Sequence, residues 1–387
     1  MTDAAPAPAP PSKRQRILTT LAVVFVLAGL GWWLLNHFVW DLREHTDDAY
    51  VAGHQVAISS QVPGTVVEVT VVNTALVEPG QVLVRLDPVD AQTALARAEA
   101  QLAQAVRQVR QQRELAQHYD ASTEQRRLEL ARLQADLRQR QPLLAGQAIA
   151  AEEVRHLQDA VRQGEVAVQQ AQRQAAAAHA LVDGSGVGDN PLVLEASARY
   201  RDAHVAARRN AILAPVRGYV AQRTVQLGQR IMPGQALMSI IPLDDLWIDA
   251  NFKENQLRNL RIGQPVDIRS DLYGSAVRYH GKVTGLLPGT GGAFAMLPAQ
   301  NASGNWIKVV QRIPVKVSLD PQELAQRPLR IGLSMTVEVD THDRSGDVLA
   351  QAPVTTARER TEVYAADLQQ ASAAAAAIVA RHGGAAR

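Results

Sequence analysis

The sequence predicts an α+β multi-domain protein in which a small β module is cut in two and a long helical hairpin is inserted at the cut. One half-motif occurs twice, at a constant offset of 154 residues. The stretch between the two copies has the pattern of long helices, and the stretch after them is rich in short strands. Because the two halves must share one module, we expect the insertion to leave and return as a hairpin.

The N-terminal segment is predicted to cross a membrane once. Residues 1–16 form a leader rich in Pro and Ala, and residues 17–40 contain no charged side chain. As a helix, residues 17–40 rise roughly 36 Å, which exceeds a hydrocarbon core of about 30 Å. A cleaved signal peptide fits less well, since the apolar run is long and no small-residue cleavage motif follows it.

Charge and aromatic residues predict the orientation of this segment. Basic residues precede the helix and mainly acidic residues follow it, so the N-terminus is expected on the cytoplasmic side. Tryptophans near the far end are expected in the headgroup layer. The predicted anchoring residues are Lys13, Arg14, Arg16, Trp32, Trp33 and Trp40.

The β module is predicted from residues 41–88, which include a linker, and residues 211–243. Each half is a short alternating run interrupted by a Pro-Gly turn. The matching positions are Gly64, Val66, Pro79, Gly80, Gln81, Leu83 and Pro88 in the first half, and Gly218, Val220, Pro233, Gly234, Gln235, Leu237 and Pro242 in the second. This constant offset favours an internal duplication over chance.

Residues 89–210 are predicted to form an α-helical coiled-coil hairpin. Apolar residues recur every seven positions on both arms, which is typical of a left-handed coiled coil. The outgoing positions are Leu95, Leu102, Val109, Ala116, Thr123, Leu130, Leu137 and Leu144, and the returning ones are Val154, Val161, Val168, Ala175 and Val182. Breaks are expected at 141–147 and 183–191, where Pro and Gly occur. An outgoing arm of about fifty residues would be roughly 75 Å long.

The rest of the chain is predicted as a barrel and a tail. Residues 244–342 contain short strands separated by Gly and Pro, which favours a small antiparallel β-barrel. Residues 343–387 are polar and then Ala-rich, and we expect a mobile tail with one weak helix at about 362–379.

Composition and motifs argue against an enzyme, a metal site or a cofactor site. The chain has no cysteine and no His-x-x-x-His pair, and its glycine-rich stretches do not continue into a phosphate-binding motif. Arg is nearly balanced by Asp and Glu along the hairpin, so a nucleic-acid-binding surface is not expected. Phe252, Phe294 and Trp306 are interpreted as barrel core in preference to a drug site.

Three segments make the chain resemble a known family. They are 46–51 after the membrane helix, 246–254 at the start of the barrel, and 297–312 late in it. They resemble the periplasmic adaptors, or membrane fusion proteins, of the HlyD family, and most of all the EmrA type that serves multidrug exporters. The resemblance covers about residues 13–341.

The resemblance implies both an architecture and a function. It implies a split lipoyl-like β-sandwich, a coiled-coil hairpin and a β-barrel, with one inner-membrane span and the bulk of the chain in the periplasm of a Gram-negative bacterium. It implies an adaptor between a major-facilitator multidrug transporter driven by proton antiport and a TolC-like outer-membrane channel, assembled as a homo-oligomer. An adaptor of a type I protein secretion system with an ABC transporter is the alternative.

Two further expectations depend on this resemblance. A lipoate or biotin carrier would present a lysine in the turn at 86–89, and this chain has none there. In related adaptors an Arg, a Leu and a Ser near the hairpin turn contact the outer-membrane channel. Here Arg140 and either Leu143 or Leu144 resemble the first two, and Ala150 lies near the place of the Ser. Alternatively, Arg140 is merely solvated and Leu144 closes the coiled coil.

Overall fold

The computed structural model describes residues 13–35, 42–145, 148–184, 186–274, 276–293, 310–353, 355, 357 and 359–384. Its helices are α1 Lys13–Leu35, α2 Val89–Ala145, α3 Ala151–His179, α4 Pro191–Arg208, α5 Pro321–Gln326 and α6 Ala366–Gly383. Its strands are β1 Arg43–Gly53, β2 Val56–Ser59, β3 Gly64–Val69, β4 Leu76–Val77, β5 Val82–Leu86, β6 Ala211–Leu213, β7 Gly218–Ala221, β8 Arg230–Ile231, β9 Ala236–Ile241, β10 Leu246–Lys253, β11 Pro265–Ser270, β12 Arg278–Leu286, β13 Arg312–Leu319 and β14 Ser334–Asp340.

The predicted transmembrane helix, residues 17–40, overlaps α1 and extends past it. Among the residues that the structure describes, no helix combines the length and the apolarity needed to cross a membrane. The structure therefore does not show the predicted span. Trp32 and Trp33 lie on α1 with 63% and 60% of their surface exposed, whereas Trp40 lies outside the described residues. Lys13, Arg14 and Arg16 belong to the first turns of α1.

The split sandwich is built from both halves of the duplication, as the sequence predicts. One sheet has the strand order β2-β9-β7-β4 and the other β6-β5-β3-β8, so each sheet combines strands from either side of the hairpin. Its buried residues form equivalent pairs with the offset of the half-motif. These pairs are Val66 and Val220, Val71 and Val225, Val77 and Ile231, Leu83 and Leu237, and Leu86 and Ile240.

The two Pro-Gly turns are also equivalent in detail. Gly80 and Gly234 both have a φ of 82°, a left-handed conformation that glycine adopts without a steric penalty. The glutamine after each glycine closes its turn with its own side chain, because Gln81 Oε1 accepts from the Glu78 N–H at 3.0 Å and Gln235 Oε1 accepts from the Met232 N–H at 3.2 Å. The duplication therefore preserves backbone conformation as well as sequence.

The hairpin confirms the seven-residue pattern. Helix α2 has 57 residues and packs against α3 along its distal part and against α4 near the sandwich. The seam residues Leu102, Val109, Ala116 and Thr123 are buried on α2. Those buried on the return are Val154, Val161, Val168, Ala175 and Val182. Because each lies seven residues from the next, these residues stay on the side of the helix that faces its partner. Leu95, Leu130 and Leu137 are only half-buried, and Leu144 at the tip is exposed.

The outgoing helix ends within the interval 141–147, where a break is predicted, although the proline itself does not end it. Pro142 lies inside α2, which continues to Ala145. A proline removes one backbone N–H and crowds the carbonyl four residues earlier. The bond lost is the one that position 142 would donate to the Arg138 carbonyl, and only three helical residues follow Pro142, so little of the helix is disturbed.

The barrel begins earlier in the chain than the sequence analysis placed it. Its six strands close in the order β1-β10-β13-β12-β11-β14. Strand β1 therefore belongs to the barrel, although the sequence analysis assigned residues 41–88 to the linker and the sandwich. Its antiparallel partners, β10 and β14, lie about 200 residues or more away, so local pattern could not reveal the pairing. Asp48 then joins three strands, since it accepts a hydrogen bond from Asn251 and forms an ion pair with Arg312.

The barrel interior is apolar and closed by large side chains. Phe252 and Tyr279 are fully buried in it, which confirms the interpretation of Phe252 as core. The Tyr279 hydroxyl donates to the Arg327 carbonyl at 2.9 Å, and burial raises the pKa of Tyr279 to about 12. Phe294 and Trp306 lie outside the described residues.

The C-terminal segment packs on the molecule, which corrects the prediction of a mobile tail at 343–387. Helix α6 lies against α2 and α4 at the hairpin base and buries Ala371, Ala375 and Ile378. Arg208 of α4 forms an ion pair of 3.0 Å with Asp367 of α6. The Ala-rich composition that suggested mobility instead allows close helix packing, because small side chains let two helices approach.

Candidate functional site

An ion pair connects the two arms at the hairpin tip. Arg140 Nη1 on α2 lies 2.5 Å from Glu153 Oε1 on α3. Both side chains are about half exposed, at 48% and 45%. The guanidinium of Arg140 is thus neither isolated nor buried, and it retains donors that face solvent.

The other predicted tip residues lie around this pair and are exposed. Leu143 is 46% exposed and Leu144 is 36% exposed, so neither closes the coiled coil as a buried residue. Ala150 is the N-cap of α3 and provides no side-chain hydrogen bond to the first turn. Backbone N–H groups at the start of α3 therefore lack the side-chain partner that a Ser would supply. Together these residues form an apolar knob beside a cation.

A second link between the arms lies along the hairpin. His179, at the end of α3, contacts Asp183 through Nδ1 at 2.8 Å and Asp120 of α2 through Nε2 at 2.9 Å. Hydrogen bonds to Asp183 and Asp120 raise the pKa of His179 above its ordinary value. Sequence reasoning missed this contact, and the one local signal was the four-residue spacing of His179 and Asp183 at a helix end.

The hairpin base is a three-helix cluster. Leu102 and Val106 of α2 pack with Tyr200 of α4 and Ile378 of α6 in one apolar core. Asn190 caps α4 by accepting from the Leu192 N–H at 3.1 Å, which restarts the return arm after the interruption at 183–191. The part of the hairpin next to the sandwich is therefore stabilised by packing between three helices.

The hairpin, the split sandwich and the barrel match known proteins. Residues 89–210 match the family model described as EMRA, alpha-helical hairpin domain. The multidrug export protein EmrA of Escherichia coli (strain K12) is 47% identical over 341 residues, which cover 86% of each chain. This chain belongs to the EmrA family. EmrA-type proteins are membrane fusion adaptors and not enzymes.

Two further known proteins resemble this EmrA-family chain. The fatty acid resistance protein FarA of Neisseria gonorrhoeae is 44% identical over 330 residues, covering 85% of this chain and 84% of FarA. A solved structure of the periplasmic adaptor protein EmrA is 17% identical, covers 78% of this chain and 99% of that chain, and has a TM-score of 0.38.

Three side chains of the types that can coordinate a metal ion lie close together where the sandwich joins the barrel of this EmrA-family chain. His54 Nε2 lies 2.8 Å from Glu359 Oε1 and 3.8 Å from Asp245 Oδ2. All three are substantially exposed, and they come from three separate chain segments. The histidine ring also lies edge-on to Trp247, with ring centroids 4.8 Å apart. These contacts tie the C-terminal segment to the junction between the two modules.

Proposed function

We propose that this EmrA-family chain is the adaptor of a tripartite efflux pump, linking an inner-membrane major-facilitator multidrug transporter to a TolC-like outer-membrane channel. The observation that supports this most is the hairpin, whose 57-residue helix is roughly 86 Å long at 1.5 Å per residue. A rod of this length, fixed to a small sandwich, suits a bridge between machines in two membranes. The energy would come from proton antiport by the transporter.

We propose that residues 17–40 anchor the adaptor in the inner membrane, with the N-terminus in the cytoplasm and the bulk of the chain in the periplasm. The uncharged run supports this proposal, as does the excess of basic residues before it. Lys13, Arg14 and Arg16 would lie on the cytoplasmic side. Trp32, Trp33 and Trp40 would lie at the periplasmic interface.

We propose that the hairpin tip contacts the outer-membrane channel through Arg140, Leu143, Leu144 and Ala150. Their exposure supports this proposal, because an apolar knob beside a partly free guanidinium suits the mixed surface of a protein partner.

We also propose that the chain self-associates into a homo-oligomer, and exposed apolar residues along the hairpin shaft support this proposal. These are Leu115, Leu128 and Val166.

The proposed tip contact is tested by separating it from the tie between the arms. In cells that lack the chromosomal gene, we expect Arg140→Gln with Leu144→Ser to abolish resistance to amphipathic toxins at a normal protein level, because both contact groups are lost. The control Glu153→Gln breaks the same ion pair but keeps the guanidinium, and it should retain resistance. Minimal inhibitory concentrations and immunoblots measure both effects.

Each outcome of this experiment has a distinct meaning. Equal loss in the double variant and in Glu153→Gln would show that Arg140 acts only inside the hairpin, which contradicts the tip contact. Full resistance in the double variant would contradict it as well.

Deletion of the gene distinguishes the two candidate functions. If the deletion blocks secretion of a protein and leaves toxin resistance unchanged, the type I secretion alternative replaces the efflux function.

A further inference from the structure

Three chain segments run between the barrel and the rest of the molecule, and each contributes one side chain to a single cluster. The segment at 54–55 connects β1 to β2, the segment at 242–245 connects β9 to β10, and the segment at 341–365 connects β14 to α6. The side chains are His54, Asp245 and Glu359, one from each segment. Anything bound to all three side chains therefore ties the barrel to the sandwich and to the C-terminal segment.

The distances within this cluster suit a small metal ion. His54 Nε2 lies 2.8 Å from Glu359 Oε1 and 3.8 Å from Asp245 Oδ2, and the three residues offer ligand atoms that all lie within 4.8 Å of one another. Around a tetrahedral zinc ion with bonds of about 2.0–2.1 Å, ligand atoms are roughly 3.3 Å apart. The two distances from Nε2 bracket this value, so small rotations of exposed side chains would complete the geometry.

Both carboxylates of the cluster approach the same ring nitrogen of His54. A ring nitrogen donates at most one hydrogen, so Nε2 cannot serve Glu359 and Asp245 equally. His179 and His280 also meet two carboxylates each, but through opposite ring nitrogens. Those two histidines bridge separate acceptors, whereas His54 gathers two carboxylates around one nitrogen, which is the arrangement that a shared metal ion requires.

The junction also carries more negative than positive charge. A cavity of about 300 Å³ lies here, and its charged or titratable lining residues are Asp244, Asp245, Glu359, His54 and Lys316. Asp244 forms no ion pair and no side-chain hydrogen bond with any residue that the structure describes. Lys316 Nζ lies 3.6 Å from the centre of the Trp247 ring and forms no ion pair with these carboxylates in the described ranges. A divalent cation would neutralise the excess.

A neighbouring indole fixes the orientation of the histidine ring. Trp247 lies edge-on to His54, with ring centroids 4.8 Å apart. Its own Nε1 donates to Asp249 Oδ1 at 3.0 Å, which holds the indole against β10. Contacts of this kind around a metal site orient its ligands. The imidazole therefore presents Nε2 to the two carboxylates.

We propose that His54, Asp245 and Glu359 bind a divalent transition-metal ion of the zinc type. The three side chains supply three ligands, and water completes the coordination. An imidazole among carboxylates favours zinc over magnesium, which prefers oxygen ligands alone. Because the ligands come from three separate segments, the ion fastens the barrel, the sandwich and the C-terminal segment to one another. A His-x-x-x-His pattern cannot reveal this cluster, since its members lie far apart in the chain.

The test measures zinc binding directly. Isothermal titration calorimetry with zinc chloride is carried out on the full chain in lipid nanodiscs, with any affinity tag removed and the heat from empty nanodiscs subtracted. We expect the wild type to bind one zinc ion per chain, and magnesium chloride to bind at least about tenfold more weakly. His54→Gln, Asp245→Asn and Glu359→Gln should each weaken zinc binding at least about tenfold, because each removes one ligand.

A matched control and a second measurement complete the experiment. His280→Gln also removes a histidine with two carboxylate neighbours, but those neighbours lie at opposite ring nitrogens, so this variant should bind zinc as the wild type does. Hydrogen exchange with mass spectrometry follows the amides at 359–365. Zinc should slow their exchange at least about tenfold in the wild type and leave it unchanged in His54→Gln.

Several outcomes would overturn the proposal. A wild type that binds no zinc would show that His54, Asp245 and Glu359 form an ion-pair cluster only. Zinc binding that survives all three substitutions would place the ion elsewhere. Equal affinity for zinc and magnesium would mean that His54 is not a ligand, and equal losses in His280→Gln and His54→Gln would indicate non-specific binding. Since no transporter or channel is present, none of these results bears on the adaptor function.

Discussion

At the scale of single residues, the duplicated halves of the sandwich are equivalent in sequence but differ in how tightly their glycines are packed. Gly64 begins β3 and Gly218 begins β7, at equivalent positions. A Cβ atom on Gly218 would lie 2.7 Å from the Ile241 carbonyl oxygen, which belongs to the backbone of a paired strand. A Cβ atom on Gly64 would meet the Leu86 side chain at 3.1 Å, and a side chain can shift.

We therefore expect Gly218→Ala to destabilise the sandwich by about 1–3 kcal/mol, as overpacking against a backbone does. Gly64→Ala is the matched control and should cost less than about 1 kcal/mol, since the loss of chain entropy in the unfolded state offsets a small shift of Leu86. Amide hydrogen exchange of sandwich strands, converted to free energies of opening, measures both. Equal costs would show that the two halves are packed alike.

At the scale of elements, the hairpin combines an apolar seam with polar links between its arms. The seam was predictable because its period follows directly from helix geometry. The link of His179 to Asp120 was not, because it depends on the register at which α3 returns along α2. Because the pKa of His179 is raised, the link depends on pH.

The sign of this sensitivity follows from the direction of the shift. A histidine whose pKa is raised by folding stabilises the folded state fully below its unfolded pKa of about 6.5, and this stabilisation is lost as pH rises through the folded pKa. We expect His179→Gln to lower the melting temperature of the hairpin at pH 5.5 and to have little effect at pH 9. Circular dichroism at 222 nm follows the hairpin, which supplies most of the helix.

A histidine on the same helix provides the control for this measurement. His156 lies on α3, and its ion pair with Glu152, at 3.9 Å, stays within that helix. His156→Gln should therefore leave the difference between the two pH values close to that of the wild type. If His179→Gln lowers the melting temperature equally at both pH values, the histidine contributes by packing and not by charge.

At the scale of the whole molecule, the C-terminal segment connects the barrel, the sandwich and the hairpin. It leaves the barrel beside Gln264, whose side chain donates to the Asp343 carbonyl at 2.8 Å. It passes the sandwich, where the Thr361 hydroxyl donates to the Pro215 carbonyl at 2.8 Å. It ends in α6 on the hairpin base. This path makes the segment a strap that fixes the hairpin relative to the other two modules.

We expect Ile378→Asp to release α6 from the hairpin base, because Ile378 is 4% exposed in the apolar cluster and a buried unpaired carboxylate is costly. Amides of α2 from 98 to 109 should then exchange at least about tenfold faster, in line with a lower local free energy of opening. Hydrogen exchange with mass spectrometry measures this rate.

The same helix offers a matched control for that variant. Leu368 is 62% exposed on α6, so Leu368→Asp makes the same kind of change at a largely solvent-exposed position of that helix. It should leave exchange in α2 unchanged. Slow exchange at 98–109 in the Ile378→Asp variant would mean that the hairpin base is stable without its strap.

The sequence by itself determined the features that repeat. The constant offset between Gly64 and Gly218 identified one module in two pieces, and the seven-residue step identified the hairpin, since both are periodicities that the backbone must obey. Tertiary structure alone decided where isolated segments pair. Strand β1 enters the barrel and α6 covers the hairpin base because of contacts between residues far apart in the chain. Such contacts depend on complementary surfaces, and they leave no repeating pattern in the local sequence.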